Sequence, residues 1–539
     1  MLRRLLTLLL TAAVVFAGVA AVHAQSLDPA RRVPRLTFYT TTPQYDPGRY
    51  EAALLIQEAF RLLGVDVDVR PIDQPVITSI SRSEPWDYDG FFLSWGSQPE
   101  RLDPHHYVYT LFHSSNLGHL GENRQGFNDP VYDAIAEGAA VSLDPEQRRA
   151  YVFQAQEYLA DNVVIIPLWF NHLTQAYNKN RLDNVVAQPG LGLFTYNSLT
   201  RLRITQGPNV LRVAQRQDID HLNPLTVVQN TDRQILDLIY DFLGRLDGDE
   251  VVPSTAESWR VIDNLTVEVK IRQGLTFHDG KPVTAHDVKF TWDYGKQVGF
   301  GRADTHVQIV DRVDLVDDYT VVFHLKEPYG AFINAAFISV PILPKHIWET
   351  VENPTQWNNP NPIGSGPFSF GYWRRGEELR LNRFAGYYAP ANVDGILQIV
   401  YANPDAIVGA MELGDVDLVV PQLTLEQEQL LKQNSHVAIS YVQGSGWTYF
   451  AYNLRRQPFA DLAFRKGMAH VIDTALITET ILEDLATPAG PGQVVPPSAG
   501  YWYNPDVTRY EFDPDLARRI LAEAGYQWDS AGRLYLPAQ

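Results

Sequence analysis

The sequence predicts a multi-lobed α/β protein, on three observations. The chain has 539 residues, well beyond the roughly 100–200 that one domain usually takes, so at least two hydrophobic cores are expected. Strand-like and helix-like segments alternate through residues 36–166, the pattern of α/β layers. Apolar residues make up 45% of the chain and charged residues 20%, with 36 Gly and 35 Pro, the balance of an ordinary folded globule.

In chain order, Arg3 and Arg4 precede an apolar stretch from Leu5 to Ala21, and Val22-His23-Ala24 follows with small residues where a signal peptidase reads. This predicts an export signal over residues 1–24, cleaved after Ala24. Arg35 to Tyr39 reads as a strand. Glu51 to Leu63 carries apolar residues at helical spacing and stops at Gly64, and Val65 to Val69 alternates strictly. A helix is expected from Pro145 to Leu159 with Asp144 as its cap, followed by the apolar strand Val163 to Ile166. Further on, Leu265 to Ile271 and Tyr319 to Leu325 alternate as half-buried strands do. Helical spacing returns at residues 460–472 and 514–524, the latter bounded by Asp513 and Gly525. Pro488 to Pro497 reads as a loop.

Composition excludes several kinds of function. Cysteine is absent, so no disulfide, thiol nucleophile or thiolate metal site is available. A net charge of −19 argues against nucleic acid as a partner, because phosphate binding needs a basic surface. No Gly-x-Ser-x-Gly elbow, His-Glu-x-x-His helix, phosphate loop or Gly-x-Gly-x-x-Gly turn occurs, leaving no sequence home for the usual hydrolytic or nucleotide chemistry. Three pairs of acids stand two apart: Asp87/Asp89, Asp218/Asp220 and Asp415/Asp417. Neighbours on one strand do not face each other across a substrate as glycosidase carboxylates do, so they are expected to be solvated or turn-binding. His105-His106 and His113 invite a metal reading, but adjacent histidines on a strand point apart and no acidic partner stands at ligand spacing. No catalytic residue, cofactor or metal is therefore expected, and the chain reads as a binding protein and not an enzyme.

Ala256-Glu-Ser-Trp259, Leu275-Thr-Phe-His-Asp-Gly280, Val283-Thr-Ala-His-Asp-Val288, Ile342-Leu-Pro-Lys-His-Ile347, Gly364-Ser-Gly-Pro-Phe368, Gly414-Asp-Val-Asp417, Tyr449-Phe-Ala-Tyr-Asn453 and Ala469-His-Val-Ile-Asp473 stand in one order. Together they resemble the dipeptide, oligopeptide and nickel-binding family of extracytoplasmic solute-binding proteins. Words that close that family's sequences come first here: Trp86-Asp-Tyr-Asp-Gly-Phe91, Gly126-Phe-Asn-Asp-Pro-Val-Tyr-Asp133 and Ile166-Pro-Leu-Trp169. Leu211-Arg-Val-Ala214 then resembles the family's opening. The order is that of a circular permutant, with the joint near residues 199–209.

The resemblance implies a two-lobed, periplasmic-binding-protein-like clamshell of the class II type. One lobe is expected over residues 164–440, the other over 25–163 plus 441–539, with crossing strands near 163–169 and 438–444. It implies a receptor in the periplasm without a lipid anchor, monomeric, handing a peptide or other small-molecule ligand to ABC permease subunits. By matching positions, Gln215, Arg216, Gln217 and Asp218 of the first lobe and Trp95, Gly96, Ser97 and Gln98 of the second are expected to face the ligand, with Trp447 and Tyr449 as pocket residues. Both aromatics read equally well as buried strand packing. The peptide-binding members place an aspartate where this chain has Gln98, and a neutral amide cannot ion-pair with a ligand's ammonium group. An oligosaccharide, an opine and a metal chelate are therefore alternative ligands, and a secreted hydrolase is the alternative of another class.

Overall fold

The computed structural model describes residues 27–227, 229–483 and 485–538; the expected export signal lies outside the described residues. One sheet of eleven strands organises the molecule. In chain order its strands are β1 Leu36–Thr40, β2 Val67–Pro71, β3 Gly90–Ser94, β4 Ile166–Asn178, β5 Val210–Gln215, β6 Phe368–Arg374, β7 Glu378–Arg383, β8 Gly395–Val400, β9 Leu418–Val419, β10 Val437–Tyr452 and β11 Ala486–Pro488. In space they run β6-β7-β8-β5-β9-β4-β10-β3-β1-β2, with β11 beside β4. A separate four-stranded antiparallel sheet contains Thr266–Ile271 and Thr320–Leu325.

The long strands β4 and β10 pair antiparallel from Asn178↔Val437 to Ile166↔Phe450. Their other neighbours differ along their length. Tyr177 of β4 meets Leu418 of β9, whereas Phe450 of β10 meets Phe92 of β3. The ladder is irregular between Gln443 and Trp447, so the strands pass from one half of the molecule to the other there and at about residues 170–172.

The buried clusters follow this division. One gathers Leu182, Leu211, Val213, Trp292, Phe323 and many others between residues 182 and 418, and a smaller one gathers Ala176, Ala214, Met411 and Val437. Two more combine residues before 171 with residues after 446, joining Phe38 and Phe60 to Phe450 and Phe464, and Tyr107 to Trp447. Leu143 crosses over: it belongs to the second body in the chain but packs in the core of the first.

Local sequence explains most boundaries and the differences from expectation. Helix α1, Pro47–Leu62, begins four residues before the apolar periodicity. Asp46 caps it by accepting from the Arg49 amide at 3.0 Å, and Pro47 fits a first helical position. β2 starts at Val67 and not Val65, because the Val65 amide is still bound to the Phe60 carbonyl at the end of α1. Helix α2 covers Gln74–Arg82. Helix α3, Pro145–Asp161, is capped by Asp144, which accepts from Gln147 at 2.8 Å. Helix α4 covers Asn230–Ile239. The helix expected over 460–472 covers Leu462–Ala469, and a separate helix that was not expected, Thr474–Leu482, follows it with Asp473 as its cap.

The paired acids divide in role, which corrects the single reading given to them. Asp89 accepts from the Thr37 amide at 2.8 Å, and Asp218 accepts from Trp373 Nε1 and the Gly376 amide. Asp417 is fully buried and bridges Arg212 at 2.6 Å and Arg181 at 2.8 Å. Spacing within a strand carries no information on which arginines the fold brings opposite.

Candidate ligand cavity between the two bodies

A cavity of about 260 Å³ lies beside the β4 and β10 crossing, just under the roughly 300–1,000 Å³ usual for small-molecule sites. Its wall is mostly first-body chain. Leu173 and Gln175 come from β4, the segment from Gln188 to Asn197 curls over it, α4 contributes Arg233 and Asp237, and Ser97 and Pro99 close it from the second body.

The Gln188 to Asn197 segment is pinned at several points. The Gly190 amide donates to Gln443 of β10 at 2.9 Å. Gln175 accepts from the Leu193 amide at 2.7 Å and donates to the Val420 carbonyl at 2.7 Å. Asn197 donates to Gln188 at 2.9 Å and to the Leu246 carbonyl at 2.6 Å. Gly190 and Gly192 hold φ near +80°, at 77° and 85°, a region open to glycine. The wall is therefore largely built before any ligand arrives, which lowers the ordering cost of binding.

Charge inside the cavity is internally balanced. Arg245 pairs with Asp241 at 2.9 Å, donates to the carbonyls of Asp237 and Tyr240, and lies over the Tyr196 ring at 4.5 Å. Burial alone would weaken its hold on the proton, but Asp241 outweighs this and keeps the guanidinium firmly charged. Arg233 stands 3.6 Å from Asp237. The remaining surface offers Leu191, Phe194, Leu246 and Ile338 as apolar contacts.

Of the ten residues expected at the ligand, Ser97 lines this cavity. The rest of its segment lies alongside: the Trp95 amide donates to the Trp447 carbonyl, and both the amide and the carbonyl of Gln98 are bound to the Ser445 hydroxyl. Trp95 stacks on Tyr449 at 6.3 Å, and Gly96 is exposed. Trp447 and Tyr449 are buried at 0% and 3% exposure in the second-body core. Gln215, Arg216, Gln217 and Asp218 follow β5 on the first body; Gln215 is buried, its side chain accepting from the Arg216 amide.

Sequence reading missed Tyr196, Asn197, Gln175, Gln188 and Arg245. The Gly-punctuated run from Gln188 to Asn197 was the available signal, and its nearness to the joint masked it. The histidines take structural places. His105 packs against Tyr109 at 5.1 Å and Tyr329 of the first body at 5.5 Å. His113 stands 3.4 Å from Glu137 and 3.8 Å from Asp133. Among the described residues, no group of three or more His, Asp or Glu is placed to hold a metal ion, and no helix is long and apolar enough to cross a membrane.

Residues 250–538 match the family model described as bacterial extracellular solute-binding proteins, family 5 Middle. The oligopeptide-binding protein AppA of Bacillus subtilis (strain 168) is 32% identical over 322 residues, covering 57% of this chain and 57% of that protein. The glutathione-binding protein GsiB of Shigella flexneri serotype 5b (strain 8401) is 27% identical over 326 residues, 58% of this chain and 61% of that one. The chain thus spans about three-fifths of the length of these curated relatives. Among solved structures, NikZ of Campylobacter jejuni in complex with Ni(L-His) aligns with a TM-score of 0.47 at 22% identity, covering 62% of this chain and 66% of that one. AppA of Bacillus subtilis in complex with a nonapeptide aligns at 0.43 and 26% identity, covering 61% and 66%.

Proposed function

Because the chain belongs to family 5 of the bacterial extracellular solute-binding proteins, we propose that it is an exported receptor of an ABC importer. It captures a peptide-like solute between its two bodies and presents it to the permease. The observation that carries this reading is the cavity at the crossing strands, walled by one body and closed by Ser97 and Pro99 of the other. A ligand held there contacts both bodies at once, so it favours the closed arrangement through differential contacts, and a permease can read that state. No bond is made or broken in the solute.

Supporting the peptide reading are two relatives, one an oligopeptide-binding and one a glutathione-binding protein. Ser97 and Gln98 stand where the cavity meets the second body, and we assign that segment to ligand contact, with Trp95 behind it. We also propose the rotated chain order. The Val33 amide donates to the Leu534 carbonyl at 2.9 Å, and the Leu536 amide to the Arg31 carbonyl at 2.8 Å, so residues 31–33 lie antiparallel beside residues 534–536 and the two ends of the described chain come together. A rotation needs that closeness of the original ends.

The test is native mass spectrometry of gently purified protein, followed by thermal-shift titration with di- to pentapeptides. Ligand binding at 100 times Kd adds about 2.7 kcal/mol, a shift of several degrees. Retained peptide or a peptide-dependent shift without hydrolysis supports the receptor; steady consumption of the peptide removes it. A retained sugar, opine or metal chelate with peptides inert keeps the receptor and changes its cargo.

A further inference from the structure

Beside the cavity, the second body gathers positive charge at one edge of its sheet. β1 and β3 run parallel, with Phe38 opposite Gly90, so Thr40 and Ser94 end on the same side. Crevices outside the carboxyl ends of parallel strands are where α/β sheets receive ligands. Arg49, in the first turn of α1, reaches into this edge with 4% exposure. Its Nη2 donates to Ser94 Oγ at 2.9 Å and its Nη1 to Gln74 Oε1 at 3.2 Å, while its Nε is buried without a protein partner. Ser94 Oγ is itself 2.7 Å from Thr448 Oγ1.

Next to it, two guanidinium groups approach the Trp95 ring, Arg101 at 5.1 Å and Arg124 at 5.3 Å. Trp95 stacks on Tyr449 with the rings 12° apart. Burial pushes the Tyr449 phenol up, opposed by the fields of Arg124, Arg49 and Arg101, with Glu122 adding to burial. Three guanidinium groups thus act on one phenol.

The ion pairs among the described side chains do not balance them. Asp46 pairs with Arg49 at 2.9 Å, and Glu122 serves both Arg124 at 2.8 Å and Arg82 at 3.3 Å. Among the described side chains, Arg49, Arg82, Arg101 and Arg124 have two paired carboxylates, Asp46 and Glu122, in a chain whose net charge is −19. Partly buried guanidinium groups left short of counter-charge are costly, and a planar oxyanion is what their fork geometry accepts.

We propose that this edge is an oxyanion subsite, holding a carboxylate or phosphoryl group of the solute beside Trp95, with Arg49, Arg101 and Arg124 supplying the charge. The proposal rests on the receptor reading and refines it. Arg101 donates to the Gly96 carbonyl, one residue from Ser97 in the cavity wall, so a solute reaching past Ser97 meets these arginines. Its polarity also suits a chain with Gln98 at the position where peptide-binding relatives hold an ammonium group. The site selects for an anionic end and not a cationic one.

Calorimetry on the full mature protein tests this with Ala-Leu-Ala, its C-terminal amide, succinate and inorganic phosphate. The free acid is expected to bind at least about tenfold tighter than the amide, equivalent to about 1.4 kcal/mol. Arg101→Gln, which removes a partly exposed side chain, and the double variant Arg101→Gln/Arg124→Gln are expected to shrink that gap below about threefold. Equal binding of acid and amide, or an undiminished gap in the double variant, overturns the subsite and leaves the receptor standing. If neither peptide binds, the peptide cargo fails separately and the simple anions decide. Arginine-dependent binding of succinate supports a carboxylate, that of phosphate a phosphoryl group, and binding of neither, or binding that survives both substitutions, overturns the subsite.

Discussion

His105 shows how one residue couples this fold to pH. It sits between Tyr109 and the first-body Tyr329, and its surroundings also include Asp103, Arg148 and His306. Burial pushes its imidazole down to about 4, opposed by Asp103 and helped by Arg148 and His306. The ordinary value is about 6.5. The unfolded chain therefore binds this proton first as pH falls, so stability is full above about 6.5 and is lost progressively toward pH 4. Asp103 limits the change: burial alone would raise it, but Arg148 at 2.7 Å holds it below the usual carboxylate range, so it stays charged through that window. Urea titrations at pH 7 and pH 4.5 should show a loss of up to about 3 kcal/mol that His105→Gln largely removes. An unchanged pH slope in that variant would assign the loss elsewhere. The sequence displayed the histidines but not this role, because Tyr329 lies more than 200 positions away. The pairing of Asp417 with Arg181 and Arg212 was hidden for the same reason.

At the scale of elements, the crossing strands carry the connection between the bodies, and glycine lets them approach the second-body wall. A Cβ added at Gly446 would collide with the Trp95 carbonyl, and one at Gly444 with the Ser97 hydroxyl. Gly446→Ala is expected to cost about 2 kcal/mol or more by forcing backbones apart. Gly409→Ala, in the helix Pro404–Leu413 with open space around it, is expected to stabilise by about 0.5–1 kcal/mol. Circular dichroism melts of the two variants give the comparison, and a neutral Gly446→Ala would show that the wall yields. Elements were the most legible part of the sequence. The Asp144 and Asp513 caps stand where side-chain chemistry put them, since capping is decided within four residues. The end at Ala469 of the helix expected over 460–472, three residues early, was not legible, because apolar Val471 and Ile472 continue into the turn before Asp473 caps the next helix.

For the whole molecule, alternation and length disclosed the mixed α/β architecture and more than one core. The cavity was scarcely legible, since Ser97 was the one expected contact lining it. Its walls meet only through long-range pairing: Gln175 with Val420, Asn197 with Leu246, Gly190 with Gln443. The proposed rotation of the chain order makes a direct prediction. A chain rejoined from residue 538 to residue 27 by a short Gly-Ser linker, with new ends in the 205–209 turn, should fold with a melting temperature within about 5 °C of the original. The turn is held from outside by Arg181, which donates to the Pro208 carbonyl at 2.6 Å. An insoluble product, or one melting in two separate steps, would count against the rotation.

The pairing of β3 with β10 also sets a timetable for synthesis. Phe92 waits for Phe450, so the early part of the second body leaves the ribosome long before the strand that completes its sheet. The first body has most of its partners within residues 176–437 and can assemble while the rest is still being made. Until then β3 presents an open edge with Phe91 and Phe92 beside it, the kind of edge that recruits stray strands. Such long-range closure is slow. The leading segment therefore stays exposed until the trailing one arrives, an interval that a chain with both halves of the second body adjacent in sequence would shorten.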